Sequence, residues 1–134
     1  MKRSRLKSGS SDAKRIVASA FEARWIDILA HFHRVVCCWY KVKLSTPKIL
    51  IVGGQRRVGY WAASTSTISI SRKLVLKYPW DIVEAVFKHE MAHQIVNEVY
   101  GVAELHGPHF RRACDRLGVA DWAASASGVL PQDI

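Results

Sequence analysis

Apolar and polar positions change rhythm twice along this chain. Residues 1–11, MKRSRLKSGSS, are mostly Lys, Arg, Ser and Gly with little to bury, and are expected to form a disordered basic tail. From Ser11 or Asp12, either able to cap a helix, no Gly or Pro interrupts the chain as far as Val42. Ile16, Ala20, Ala23, Ile26, Ala30 and Val35 sample a helical spacing there, which predicts one long helix. At Ser45-Thr46-Pro47 the pattern turns to that of strands. KILIV (48–52) is a β-branched apolar run closed by Gly53-Gly54, and RVGYWA (57–62) follows the GGQR turn as its expected hairpin partner. STISIS (66–71) alternates, with Ile68 and Ile70 on one face and Ser69 and Ser71 on the other. That is the pattern of a half-exposed, antiparallel strand.

Helical spacing then returns. WDIVEAVFKHEMAHQIVNEVY carries Ile82, Val83, Val86, Phe87, Ile95, Val96 and Val99, with Pro79 suited to its first turn and Gly101 to the position after its end. Asp81 and Glu84 favour the positive end of its dipole. The loop GVAELHGP leads to a last helix, HFRRACDRLG, with Gly118 as its stop, and VADWAASASGVLPQDI reads as short irregular packing. The expected fold class is α+β: an N-terminal long helix, a small three-stranded, mainly antiparallel sheet, a second long helix and a short C-terminal helix. Residues 12–134 are expected to form a single domain.

Composition narrows the class. The apolar share of 49% is that of a globular protein. No run of roughly 18 apolar residues is present, so no membrane partner is expected. The basic N-terminus lacks an apolar core of the kind a secretory signal needs. Cys37, Cys38 and Cys114 are odd in number and two are adjacent, a poor disulfide framework. They read as small buried hydrophobes in a reducing cytoplasm, which is the expected location. No C-x-x-C is present to form a zinc ribbon. The net charge is +9, and Ile28 to Trp80 contains no Asp or Glu, while Arg34, Lys41, Lys43, Lys48, Arg56, Arg57, Arg72, Lys73 and Lys77 lie there. A basic first half suits phosphate contacts, with nucleoid association as the consequence; it equally suits a solvated surface.

The candidate chemistry lies in KHEMAHQIVNEVYGVAELHGPHF, Lys88 to Phe110. His89 and His93 are one turn apart, so both imidazoles leave the same face of the helix. Glu90 is rotated by about 100° from His89, too far to complete their ligand set but able to reach a water bound to a shared metal. This is the physical content of H-E-x-x-H: two zinc ligands and a general base. A third ligand is needed. The extended H-E-x-x-H-x-x-G-x-x-H pattern fails, because Val96 and Val99 stand where Gly and His would be. Glu98 is too close on the same helix; Glu104 is in the loop and Asp115 on the last helix. His106, before a Gly-Pro turn, and His109, at the start of the last helix, are the remaining candidates. Tyr100 is a candidate oxyanion stabiliser, two turns on from His93. His31 and His33 lie on different sides of the first helix and are not expected to share a metal.

GYWAASTSTISISRKLV, YPWDIVEAVFKHEMAHQ and HGPHFRRACDRLG together resemble the SprT-like zinc metallopeptidase domain, the family of Spartan-type DNA–protein crosslink proteases, over roughly residues 48–118. The resemblance implies a zincin-like fold with Zn2+ as cofactor. It implies His89, His93 and His106 as metal ligands, Glu90 as catalytic base and His109 as a helix-start residue. It further implies hydrolysis of peptide bonds in a protein substrate, with DNA-bound protein as the substrate class and DNA as a partner. Larger members carry a zinc-binding or DNA-binding module after the protease domain. No cysteine set here matches one, which leaves the basic first half for any DNA contact. In zinc peptidases of this type a strand beside the active helix pairs with the substrate backbone, and STISIS is the candidate strand; its pattern equally suits a strand that only covers the core. The alternative is a non-catalytic, zinc-stabilised, nucleic-acid-associated protein in which His109 closes a four-histidine shell.

Overall fold

The computed structural model describes residues 2–54 and 57–125, with residues 2–10 by backbone alone. The elements run α1 (Lys2–Trp39), β1 (Lys48–Val52), β2 (Gly59–Ala62), β3 (Thr67–Ser71), α2 (Arg72–Lys77), α3 (Trp80–Glu98), α4 (Pro108–Leu117) and α5 (Asp121–Ala124). This is the α+β architecture expected, with two short helices, α2 and α5, that the apolar pattern did not reveal. The end of the C-terminal tail and the Gln55-Arg56 part of the GGQR turn lie outside the described residues.

α1 passes without a break through Ser11 and Asp12, so the helix does not start at the expected cap. Among its described side chains, those of the second half meet the core. Leu29, His33 and Val36 are buried, and Trp25 and Phe32 partly so, a spacing of three and four residues along one face. That face is offset from the expected one, since Ile16 is 68% exposed and Val35 45%. The large aromatics decide the matter, because they hide the most apolar area. Trp25 stacks on Trp80 with centroids 6.2 Å apart, and Phe32 meets Trp80 at 5.0 Å and Phe87 at 5.8 Å. Of the cysteines, only Cys114 is buried; Cys37 is half-buried and Cys38 exposed, all as free thiols.

The sheet has the order β1-β3-β2, with β1 parallel and β2 antiparallel to β3. The expected β1–β2 hairpin is therefore not formed, and β3 inserts between the two. Nor is β3 half-exposed: Thr67, Ile68, Ile70 and Ser71 are all buried. Ser71 and Thr67 are buried because their hydroxyls are satisfied locally. Ser71 caps α2 by accepting from the Leu74 N–H at 3.4 Å, and Thr67 donates to the Thr65 carbonyl at 3.1 Å. Cross-strand partners share a face, so Ile49, Ile51, Ile68, Ile70, Gly59 and Trp61 line one side of the sheet. All six are buried.

α3 lies at the centre. Ile82, Val83, Val86, Phe87, Met91, Ile95 and Val96 are buried around it, as expected of a helix packed on several sides. Pro79 is its N-cap, and Gly101, at φ +68°, turns the chain after its end. Gly118 stops α4 in the left-handed conformation, as expected. No described helix is long and apolar enough to cross a membrane. Because β3 is central, Ile68→Ala should cost about 2–5 kcal/mol of stability in urea denaturation. A cost below about 1 kcal/mol would mean that the strand is not packed on both sides.

Candidate metal centre

α3 presents His89 and His93 on one face, and the loop before α4 brings His106 against them. The ring centroids are 5.0 Å apart for His89–His93, 5.5 Å for His89–His106 and 4.9 Å for His93–His106. One nitrogen from each of the three lies within 4.8 Å of the others, the geometry of a group that can hold a metal ion. Among the described residues, this is the group of His, Cys, Asp and Glu donors that gathers in this way.

The three imidazoles share one floor, the ring of Phe110. Its centroid is 4.4 Å from His93 in a stacked arrangement, 4.9 Å from His89 and 4.9 Å from His106. Phe110 itself is only 1% exposed. Its position follows from the sequence of α4: Pro108 opens the helix, and Phe110, Ala113, Cys114 and Leu117 form its buried stripe.

Electrostatics prepare the group for a cation. Burial disfavours the imidazolium form of His89, and a backbone hydrogen bond to Ala123 only partly offsets this. His93 is pushed down to about 3, first by burial and then by the neighbouring His89 and His106. Neutral imidazoles are the ligand form, so no proton has to leave His93 first at neutral pH. The partner of His89 Nδ1 is the carbonyl oxygen of Ala123 in α5. A carbonyl only accepts, so Nδ1 carries the proton and Nε2 keeps its lone pair for the centre. Three imidazole nitrogens are a donor set that suits zinc.

Glu90 lies next to the group with its carboxyl 5% exposed. Burial raises it to about 8, against the opposing charge of Arg57 and a backbone hydrogen bond from Trp61. Its place depends on Gly59 in β2, where an added Cβ would lie 2.9 Å from Glu90 Oε2 and 3.2 Å from Val86 Cγ1. Arg57 is steadied by the ring of Tyr60, 4.9 Å from its guanidinium carbon.

His109 stands apart from the three. Its Nδ1 donates to Glu104 Oε1 at 2.8 Å, and its ring lies 5.7 Å from Tyr100. Tyr100 in turn carries Arg112, whose guanidinium carbon lies 5.9 Å from its ring centroid. His31 is exposed, whereas His33 donates from Nε2 to Gln94 Oε1 at 2.9 Å behind α3. Sequence reasoning gives Phe110 and Gly59 no role in the site, counts Arg57 only among the basic residues and weighs Glu104 only as a ligand. Only Phe110 had a readable signal, as an apolar residue two positions after a helix-opening proline.

Truncating Phe110 to Ala removes the floor of the site as well as core. A loss of about 3–5 kcal/mol in urea denaturation is expected, together with weaker zinc binding in chelator competition. Unchanged metal affinity in the folded variant would show that the ring does not hold the imidazoles. The pH dependence of the metal-free protein has a definite sign. Glu90 binds its proton more tightly folded than unfolded, so its share of stability falls as pH rises from 4.5 to about 8. His33, His89 and His93 are lowered from 6.5, so their shares rise with pH up to 6.5. Three histidines outweigh one carboxyl below 6.5, and Glu90 acts alone above it. Stability should therefore peak near pH 6.5 and decline towards 8 by up to about 1.4 kcal/mol per unit. Glu90→Gln should flatten that decline; a wild-type profile already flat there contradicts the assignment.

No curated protein and no solved structure matched the chain in comparison. A family model did, that of the SprT-like family, over residues 22–129. The matched span runs from the buried half of α1 through α5 and contains the three gathered histidines and Glu90. The chain belongs to the SprT-like family.

Proposed function

We propose that the protein is a zinc-dependent metallopeptidase that hydrolyses peptide bonds, with His89, His93 and His106 holding the metal and Glu90 as general base. The observation that carries this reading is three gathered imidazoles, one of them next in sequence to the buried Glu90, with His109 engaged elsewhere. Structural zinc sites are closed by four protein ligands, whereas catalytic ones have three and an open position. The engagement of His109 with Glu104 thus speaks against the non-catalytic alternative. Zinc bound there supplies a Lewis-acidic centre that polarises a peptide carbonyl and acidifies water, and its charge favours Glu90 as the carboxylate.

The residues of the chain do the rest. Glu90 takes a proton from the attacking water and returns it to the leaving amine. The Trp61 backbone bond and the charge of Arg57 orient the carboxyl for that exchange. Burial keeps bulk water from competing for the proton. Substrate binding by strand addition moves from β3, whose edges are both paired, to β2, whose outer edge is free of the sheet and adjoins Glu90. Backbone pairing gives affinity without sequence preference, which suits an enzyme acting on varied proteins.

The substrate class in this reading is protein bound to DNA. Its support is the net charge of +9, the acid-free stretch from Ile28 to Trp80 and the exposed Trp39, at 77%, near Lys41 and Lys43. Exposed aromatics among basic residues suit unpaired bases. The test is cleavage of a DNA-binding protein with and without single-stranded DNA. Wild type should cleave, faster with DNA, and Glu90→Gln should fall at least about 1,000-fold while binding one zinc. A wild-type protein that binds zinc yet cleaves nothing under either condition removes the enzymatic reading.

A further inference from the structure

His106 is exposed and comes from the irregular chain between α3 and α4, unlike the two helix histidines. An exposed loop residue loses conformational freedom on gripping an ion, and that loss weakens binding unless the loop is already fixed. Two side chains fix it. Asn97 ties its first half: Oδ1 accepts from Trp61 Nε1 at 2.7 Å, and Nδ2 donates to the Val102 carbonyl at 3.0 Å.

Glu104 ties the second half. Its Oε2 accepts the backbone N–H of His109 at 2.7 Å and of Phe110 at 3.0 Å, and its Oε1 accepts His109 Nδ1–H at 2.8 Å. The carboxylate therefore caps α4 in place of Gly107, which has no side chain to do so. His106 sits inside the short ring of chain closed by these bonds, fixed before and after. One donor is the amide of Phe110, the residue under all three imidazoles. The same carboxylate thus sets His106 against its own floor.

Gly107 completes the device. Its φ of −88° and ψ of −162° are open to any residue, so backbone conformation does not require glycine. Space does. An added Cβ would lie 2.5 Å from Glu104 Cδ and 2.8 Å from both its Cγ and Oε2. The Glu104 side chain passes where that Cβ would be.

We propose that Glu104 is a positioning residue that presents His106 to the metal, and that Gly107 is glycine so that the Glu104 carboxylate can reach α4. This rests on the reading of His106 as a ligand, so the experiment tests the two separately. Zinc affinity is measured by competition with a chromophoric chelator, and Co2+ is used as a spectroscopic probe of the ligand set, on the full chain. Glu104→Ala should weaken zinc about 10- to 100-fold, as removal of an orienting partner does, with the wild-type Co2+ band positions retained. Glu104→Gln, which keeps the volume and one acceptor oxygen, should remain folded and lose less. Gly107→Ala should weaken zinc to a similar extent in the wild-type background and hardly at all when added to Glu104→Ala. His106→Ala should weaken zinc more than any of these and shift the Co2+ bands.

If His106→Ala weakens zinc while Glu104→Ala and Gly107→Ala stay within about twofold of wild type, well below that range, the clasp is wrong and the ligand assignment stands. If the losses from Gly107→Ala and Glu104→Ala multiply in the double variant, the role given to Gly107 is wrong. If His106→Ala changes neither affinity nor spectrum, the proposed metal centre fails and the clasp falls with it.

Discussion

The ring of Phe110 against three imidazoles is the contact on which the site and the core both depend. It makes one object of three pieces of chain: the buried helix α3, the loop that follows and the amphipathic α4. Apolar packing alone would bring these together, but it would not stop the histidines from charging and repelling one another. The ring does both things at once. It contributes buried area, and it replaces water on the inner side of His89 and His93, where burial disfavours the charged form. In a basic chain these two imidazoles are thereby held towards the form whose lone pairs a metal ion can take.

Behind α3, a polar network fixes the rotation of that helix. Gln94, fully buried and next in sequence to His93, accepts from His33 of α1. It donates to the Ser45 carbonyl at 2.9 Å and to Glu98 Oε2 at 3.1 Å. Glu98 in turn receives the Ser45 N–H at 2.8 Å and hydroxyl at 2.7 Å. Every buried side-chain polar atom described has a partner. A small turn of α3 about its axis would break several of these bonds together, each worth about 0.5–1.5 kcal/mol net. The direction in which His89 and His93 point is therefore set from the far side of the helix.

Legibility in the sequence followed the range of the physics. Helical spacing, the proline at the start of α3 and the Gly118 stop are local effects, and each is readable. The pair His89 and His93 needed only the pitch of one helix. Strand order was not readable, because it depends on which strand has both faces covered. Ser71 of β3 imitates a solvated position while its hydroxyl is satisfied by the start of α2. The buried side of α1 was misjudged for a similar reason: apolar residues occur on several sides, and the aromatics of α3 select among them. Glu104 was seen as a weak ligand candidate; its work as a cap on α4 needed coordinates, since it acts across a glycine that looks like an ordinary turn residue. Gly59 is a second glycine of this kind, making room for Glu90.

The hydrogen bond from His89 to Ala123 spans 34 residues of chain, from α3 to the last described helix. Synthesis proceeds from the N-terminus, so the helix histidines leave the ribosome well before the carbonyl that orients one of them. His106 and Phe110 also follow them. A nascent chain thus holds an incomplete histidine cluster through most of its growth, and the carbonyl that fixes the His89 tautomer arrives last. The order of the chain itself delays the finished cluster until the surrounding fold can form.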